Sequence, residues 1–135
     1  MADTKFVQIR LENAGGPFTD GSFIPSNLHV EPGDTIVWFI TRRLSPIVPA
    51  PRKTQEAKAM HVREEAEFVP DANTVLVFRD HTPLSSPRVY GKGGIAEAQV
   101  AAKAPPGVYH YSALVMTPAG EILLDVRCPE IIIQR

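Results

Sequence analysis

The sequence predicts an all-β protein: one sandwich domain of seven or eight short strands, with one short helix set into an insertion. Three observations carry this. Apolar residues recur at every second position in several short segments, the period of a strand with one buried face. Clusters of Gly, Pro, Asn and Asp punctuate those segments at short intervals. The 135 residues suffice for one domain with a core of its own and leave no room for two.

The first strand is residues 5–12, where Val7, Ile9 and Leu11 share one face and Gln8, Arg10 and Glu12 the other. Asn13 to Gly16, with Pro17 behind it, reads as a turn. Leu28–Val30 and Thr35–Thr41 flank Glu31-Pro32-Gly33-Asp34, which predicts a hairpin, with Ile36, Trp38 and Ile40 on the core face. Residues 44–52 hold three Pro and read as an extended loop or an edge, because Pro fixes φ and donates nothing to a ladder. Residues 53–67 lack Gly and Pro, and Ala59, Val62 and Ala66 fall at i, i+3 and i+7, which predicts the short amphipathic helix. Val69 to Asn73 ends it.

Thr74–Arg79 is the next strand, followed by loops at Asp80–Pro87 and Gly91–Gly94. Residues 95–103 alternate, with Ala96, Ala98, Val100 and Ala102 on one face. Helix and strand compete in so Ala-rich a run; the Ala104–Gly107 turn and the strand behind it favour strand. Val108–Val115, Glu121–Val126 and Pro129–Gln134 complete the set, with a turn at Thr117–Gly120.

Composition narrows the function classes. Fourteen Lys and Arg stand against fifteen Asp and Glu, a net charge of −1, which argues against a nucleic-acid binder that must neutralise phosphates. One Cys excludes an internal disulfide framework and a Cys-rich zinc site. Asp3, Lys5, Gln8, Arg10 and Glu12 interrupt any secretory signal, and the apolar stretch Ile36–Ile40 falls far short of the roughly 18 residues of a membrane span. The expectation is a soluble, cytoplasmic chain in a reducing compartment.

Two segments carry a family likeness. Leu28-x-Val30-x-Pro32-Gly33-Asp34-Thr35-Ile36-x-Trp38 resembles the second and third strands of the cupredoxins, the plastocyanin and pseudoazurin kind. Ala104-Pro-Pro-Gly107-Val-Tyr109-His-Tyr111 resembles the cupredoxin strand that leads into the copper loop. The resemblance covers most of the chain except residues 42–73, and implies a Greek-key sandwich with a divergent insertion there. It also implies where copper ligands would stand. The first His would fall at Ser45 or Pro46, the Cys at Ala113 and the second His at Met116, and no His follows His110. A blue copper centre needs two imidazoles and a thiolate, so the reading is a copper-free relative with no cofactor. The ending Asp125-Val-Arg-Cys-Pro-Glu-Ile-Ile-Ile-Gln134 resembles the Asp-Pro-x-Ile-Ile-Val ending of copper-free, plastocyanin-like small bacterial proteins, with Val126-Arg127-Cys128 interposed.

Individual residues add little chemistry. Cys128 reads as a small hydrophobe at a strand entry. His29 and His110 alternate against core residues and fall on the solvent side, and none of the four His has close ligand spacing. His61, His81, Met60 and Met116 form the alternative reading, a metal (copper) site of rearranged His and Met ligands. Tyr109 reads as a tyrosine-corner residue with its hydroxyl on the backbone. Gly91-Lys-Gly-Gly94 lacks the Gly-Lys-Ser/Thr of a P-loop and reads as a connector. No serine has a nucleophile-elbow context, and Glu64 and Glu65, adjacent on a helix, point about 100° apart and make a poor acid–base pair.

The informative pattern is charge. Arg42, Arg43, Arg52, Lys53 and Lys58 against Glu56 make residues 42–58 basic, and Glu64, Glu65, Glu67 and Asp71 make residues 64–71 acidic. A dipolar insertion of this kind suits a protein partner or self-association, where opposite charges orient the complex. Arg42, Arg43, Arg52, Lys53, Glu64, Glu65 and Glu67 are the candidate partner-binding residues. The sequence thus reads as a non-catalytic binding or assembly protein, with no nucleic acid and no membrane span.

Overall fold

The computed structural model describes residues 2–12, 20–43, 66–79, 81–124 and 129–134. They form eleven strands in two facing sheets. The strands are β1 (Thr4–Glu12), β2 (Asp20–Ile24), β3 (Asn27–Val30), β4 (Thr35–Arg43), β5 (Ala66–Phe68), β6 (Asn73–Phe78), β7 (Arg88–Gly91), β8 (Ile95–Gln99), β9 (Gly107–Thr117), β10 (Gly120–Leu124) and β11 (Glu130–Ile133). The first sheet runs β2-β1-β4-β5, with β8 also on β4; the second runs β3-β11-β9-β6-β7, with β10 also on β9.

The alternation seen in the sequence fixes which face is buried. Val7, Ile9 and Leu11 of β1 and Ile36, Trp38 and Ile40 of β4 point inward from the first sheet; Leu76, Tyr111, Ala113, Val115 and Ile131 meet them from the second. An aromatic cluster joins the layers. The Tyr111 ring lies 5.5 Å from Phe23, 5.9 Å from Trp38 and 5.2 Å from Phe78. The indole Nε1 of Trp38 donates to the Tyr111 hydroxyl at 3.1 Å, so the largest core residue buries no unmet donor. Burial raises the Tyr111 phenol pKa well above its usual range, with the Trp38 bond a smaller opposing effect. Thr74, also buried, has a hydroxyl with no hydrogen-bond partner among the described residues.

Eight strands match the sequence expectation, and three were not foreseen: β2, β5 and β7. β2 hides because Gly21 and Phe23 are its only inward residues; at Gly21 a Cβ would lie 2.9 Å from the Leu124 side chain packed across from it. Two expectations fail. The predicted helix over 53–67 ends in strand: Ala66 and Glu67 belong to β5, paired with Arg43 and Arg42, and there is no helix among the described residues. Edge pairing to β4 overrides the helix propensity of Ala and Glu. Residues 53–65 lie outside the described residues.

The Glu31–Asp34 hairpin is also overturned. β3 and β4 do not pair; β3 runs parallel to β11 and β4 parallel to β1, so the turn carries the chain from one sheet to the other. Apolar alternation in the flanking strands is met equally by a hairpin and by two facing sheets, so the choice rests on the pairing partners β1 and β11. The turn's polar groups are bonded across the corner. Gly33 N–H donates to the Val100 carbonyl, Val100 N–H to the Asp34 carbonyl, and Thr35 N–H to the Asp3 carbonyl. The Asp34 carboxylate accepts from Asp3 N–H and Glu31 N–H, each at 2.9 Å.

β10 and β11 lie end to end along one side of β9. The ladder passes from Leu124 opposite Ala113 to Glu130 opposite His110. Between those two pairs β9 offers Tyr111 and Ser112, and Tyr111 N–H donates to the Pro129 carbonyl. Val126, Arg127 and Cys128, the interposition read from the sequence, lie outside the described residues.

Candidate functional site

The charged pattern in the sequence leads to the far end of β4. There Arg42 stands opposite Glu67 in the β4–β5 ladder, where β5 is only three residues long and exposed throughout. Arg42 Nε donates to Glu67 Oε1 at 2.6 Å and Nη2 lies 2.5 Å from the same oxygen. The two side chains are 45% and 50% exposed, so water screens the pair and it contributes at most about 1 kcal/mol to stability.

The chain after β5 turns back beneath this pair. Val69 N–H donates to the Ile40 carbonyl and Gly94 N–H to the Ala72 carbonyl, which clamps the Val69–Ala72 turn between β4 and the β7–β8 connection. Gly94 is required there: its φ is +82°, and a Cβ would fall 2.3 Å from the Val69 carbonyl oxygen. From the other sheet the β9–β10 turn closes the far wall. Its shape is held by Thr117, whose Oγ1 donates to the Gly120 carbonyl at 3.1 Å and accepts from Ala119 N–H at 3.2 Å.

Between these walls lies a cleft of about 330 Å³, lined by Arg42, Glu67 and Asp71 together with Phe68, Pro70 and Pro118 among others. Phe68 is 43% exposed. The lining thus sets an ion pair beside exposed apolar rings.

Of the candidate partner-binding residues, the structure brings together Arg42 and Glu67 and adds Asp71 beside them. Arg43 closes β4 opposite Ala66. Arg52, Lys53, Glu64 and Glu65 lie outside the described residues. Of the alternative metal ligands, Met60 and His61 also lie outside. Met116 pairs with Asn73 at the start of β6, while His81 follows the end of that strand, so these two are set at opposite ends of a six-residue strand. Among the described residues no three His, Cys, Asp or Glu side chains are grouped to hold a metal ion. Ala113, where the resemblance puts a thiolate, sits fully buried in the middle of a ladder between Leu76 and Leu124.

Tyr109 is buried and its hydroxyl donates to the Pro105 carbonyl four residues upstream, as expected of a tyrosine corner. His29 and His110 face outward; His110 Nδ1 lies 3.7 Å from Glu130 Oε2. No helix among the described residues is long and apolar enough to cross a membrane. Sequence reasoning missed that Phe68, Pro70 and Pro118 belong to one cleft. Both turns, Val69–Asn73 and Thr117–Gly120, were legible, but their meeting depends on how the two sheets are laid together. No family model matches the chain, and no curated protein matches it.

Proposed function

We propose that this chain is a copper-free, cupredoxin-like protein that acts through protein–protein contacts at the Arg42–Glu67 end and performs no catalysis. The observation that carries this reading is the cleft: a solvent-screened ion pair and exposed Phe68 and proline rings on a frame of backbone hydrogen bonds. Such a surface exchanges partners readily, because an incoming carboxylate can take Arg42 from Glu67 at little cost while Phe68 and Pro118 lose water. The strand order supports the family likeness, with β3 and β11 parallel and the β4 and β9 signatures in facing sheets. Burial of Ala113 within the β6–β9–β10 ladder supports a scaffold whose thiolate position has become core.

The test combines affinity capture with metal analysis. Arg42→Glu is expected to abolish capture of a partner that the wild type retains. The double exchange Arg42→Glu with Glu67→Arg restores an ion pair but reverses its direction, and capture stays lost. Recovery of capture in the double variant would show that the pair only supports the fold. Copper added in slight excess and then dialysed away is expected to leave no stoichiometric metal. One tightly held copper per chain, lost in His81→Ala or Met116→Ala, would favour the rearranged His/Met site instead.

A further inference from the structure

The outer edge of β10 is set apart from β2, β3 and β7 by composition, and from β5 and β8, which likewise carry one charge and neither Lys nor Pro, by ending on two leucines. β2 opens on Asp20 and is followed by Pro25; β3 carries Asn27 and His29; β7 carries Arg88 and leads to Lys92. Charges, prolines and short polar strands of this kind discourage edge pairing. β10 reads Gly-Glu-Ile-Leu-Leu, with one charge, no Lys and no Pro.

The β9–β10 register shows which backbone groups are free. The two-residue turn Pro118–Ala119 makes Thr117·Gly120 a bonded pair, and bonding then alternates along the ladder through Val115·Ile122 and Ala113·Leu124. The opposite face of β9 agrees with this phase, since Arg79 N–H reaches the His110 carbonyl. Glu121 and Leu123 therefore turn their N–H and C=O groups away from β9, and those groups have no backbone partner among the described residues. Leu123 is also 55% exposed, and it ends an apolar row across the outer face: Leu123, Leu114, Val75 and Tyr90 stand side by side on β10, β9, β6 and β7.

We propose that two copies of this chain join edge to edge through β10, antiparallel, about a two-fold axis at Ile122. The axis places Glu121 opposite Leu123 of the partner subunit and Leu123 opposite Glu121 of the partner subunit. Both are bonded pairs in this register, so four backbone hydrogen bonds form and every outward group of the two residues is met. Ile122, half-buried against the core, meets its own copy on the inner face. The apolar rows of the two outer faces run into one another. The two β9–β10 turns lie at opposite ends of the joined sheet, so both Arg42–Glu67 clefts remain open. The inference stands apart from the role proposed for that cleft, and each can fail alone.

The register makes the test depend on the sign of a charge. Leu123→Glu places a carboxylate directly opposite Glu121 of the partner subunit, twice per dimer. Leu123→Lys places an ammonium there. Sedimentation equilibrium over roughly a hundredfold range of protein concentration is expected to show the wild type moving toward twice the monomer mass. Leu123→Glu is expected to raise the dissociation constant at least about tenfold, and Leu123→Lys to leave it within about threefold or lower it. A wild type that stays monomeric throughout, or two variants that weaken association alike, overturns the proposal. A measurement on the wild type alone guards against misfolded variants. Amide exchange at Glu121 and Leu123 is expected to slow as concentration rises while that at Ile122 does not change, and no such difference again overturns it.

Discussion

Two carboxylates near the ends of β4 are used in opposite ways. Asp34, at the start, is 2% exposed and accepts two backbone N–H groups, from Asp3 just before β1 and Glu31 just after β3. Glu67, paired with Arg42 at the far end, is half exposed and meets one guanidinium in water. Burial alone would raise the Asp34 pKa, but the bonds from Asp3 and Glu31, with Lys5 nearby, outweigh it and hold the carboxyl below its ordinary value of 3.8. The lesson is one of position. A carboxylate bonded to backbone and removed from solvent locks a sheet-to-sheet corner, whereas one in a screened ion pair contributes little to the fold and stays available to another molecule.

The largest expected effect breaks the locked end. Asp34→Ala leaves the Asp3 and Glu31 N–H groups unpaired and is expected to cost about 2–4 kcal/mol, read from urea unfolding followed by Trp38 fluorescence. The pH dependence sharpens the point. Because the folded pKa lies below the unfolded one, the Asp34 contribution is complete above about pH 5 and is lost as pH falls through the folded value. Asp34→Asn is therefore expected to flatten the acid side of the stability curve below about pH 5; an acid limb as steep as the wild type's would contradict this.

Next in size is the core between the two ends. Tyr111→Phe removes the acceptor of the Trp38 indole and is expected to cost about 1–3 kcal/mol, with a shift in Trp38 emission that Phe78→Leu would not mimic by hydrogen-bond loss. At the open end, Arg42→Ala is expected to change stability by less than about 1 kcal/mol, and the change should shrink further in high salt. A loss of several kcal/mol there would erase the contrast with Asp34. The smallest effect is expected at Thr74, whose buried hydroxyl lacks a partner among the described residues. Thr74→Val is expected to be neutral or to stabilise by up to about 1 kcal/mol.

Much of the scaffold was legible because the strand period is local. Val7, Ile9 and Leu11, or Ile36, Trp38 and Ile40, announce a buried face whatever they pack against. Tyr109 was legible for the same reason, since its acceptor, Pro105, lies four residues away. The candidate site was half legible: Arg42 and Glu67 stood out by charge, and neither Phe68 nor Pro118 carried a signal of its own. The Glu31–Asp34 hairpin misled because Pro-Gly between apolar strands reads alike whether the strands pair or part. The distinction rests on Asp3 and Val100, 31 and 67 residues from their partners Asp34 and Gly33 respectively.

What the sequence determined by itself is therefore the strand class, the inward faces and the turns, all properties that neighbouring residues settle among themselves. Tertiary structure alone decided which strands share a sheet, that Ala66 and Glu67 form strand where the sequence predicts helix, and that Arg42, Glu67, Phe68 and Pro118 line one cleft. It also decided that Glu121 and Leu123 hold the outward backbone groups of the β10 edge. Each of these depends on pairing register and on the stacking of two sheets, where the energy comes from contacts between segments that the chain order keeps apart.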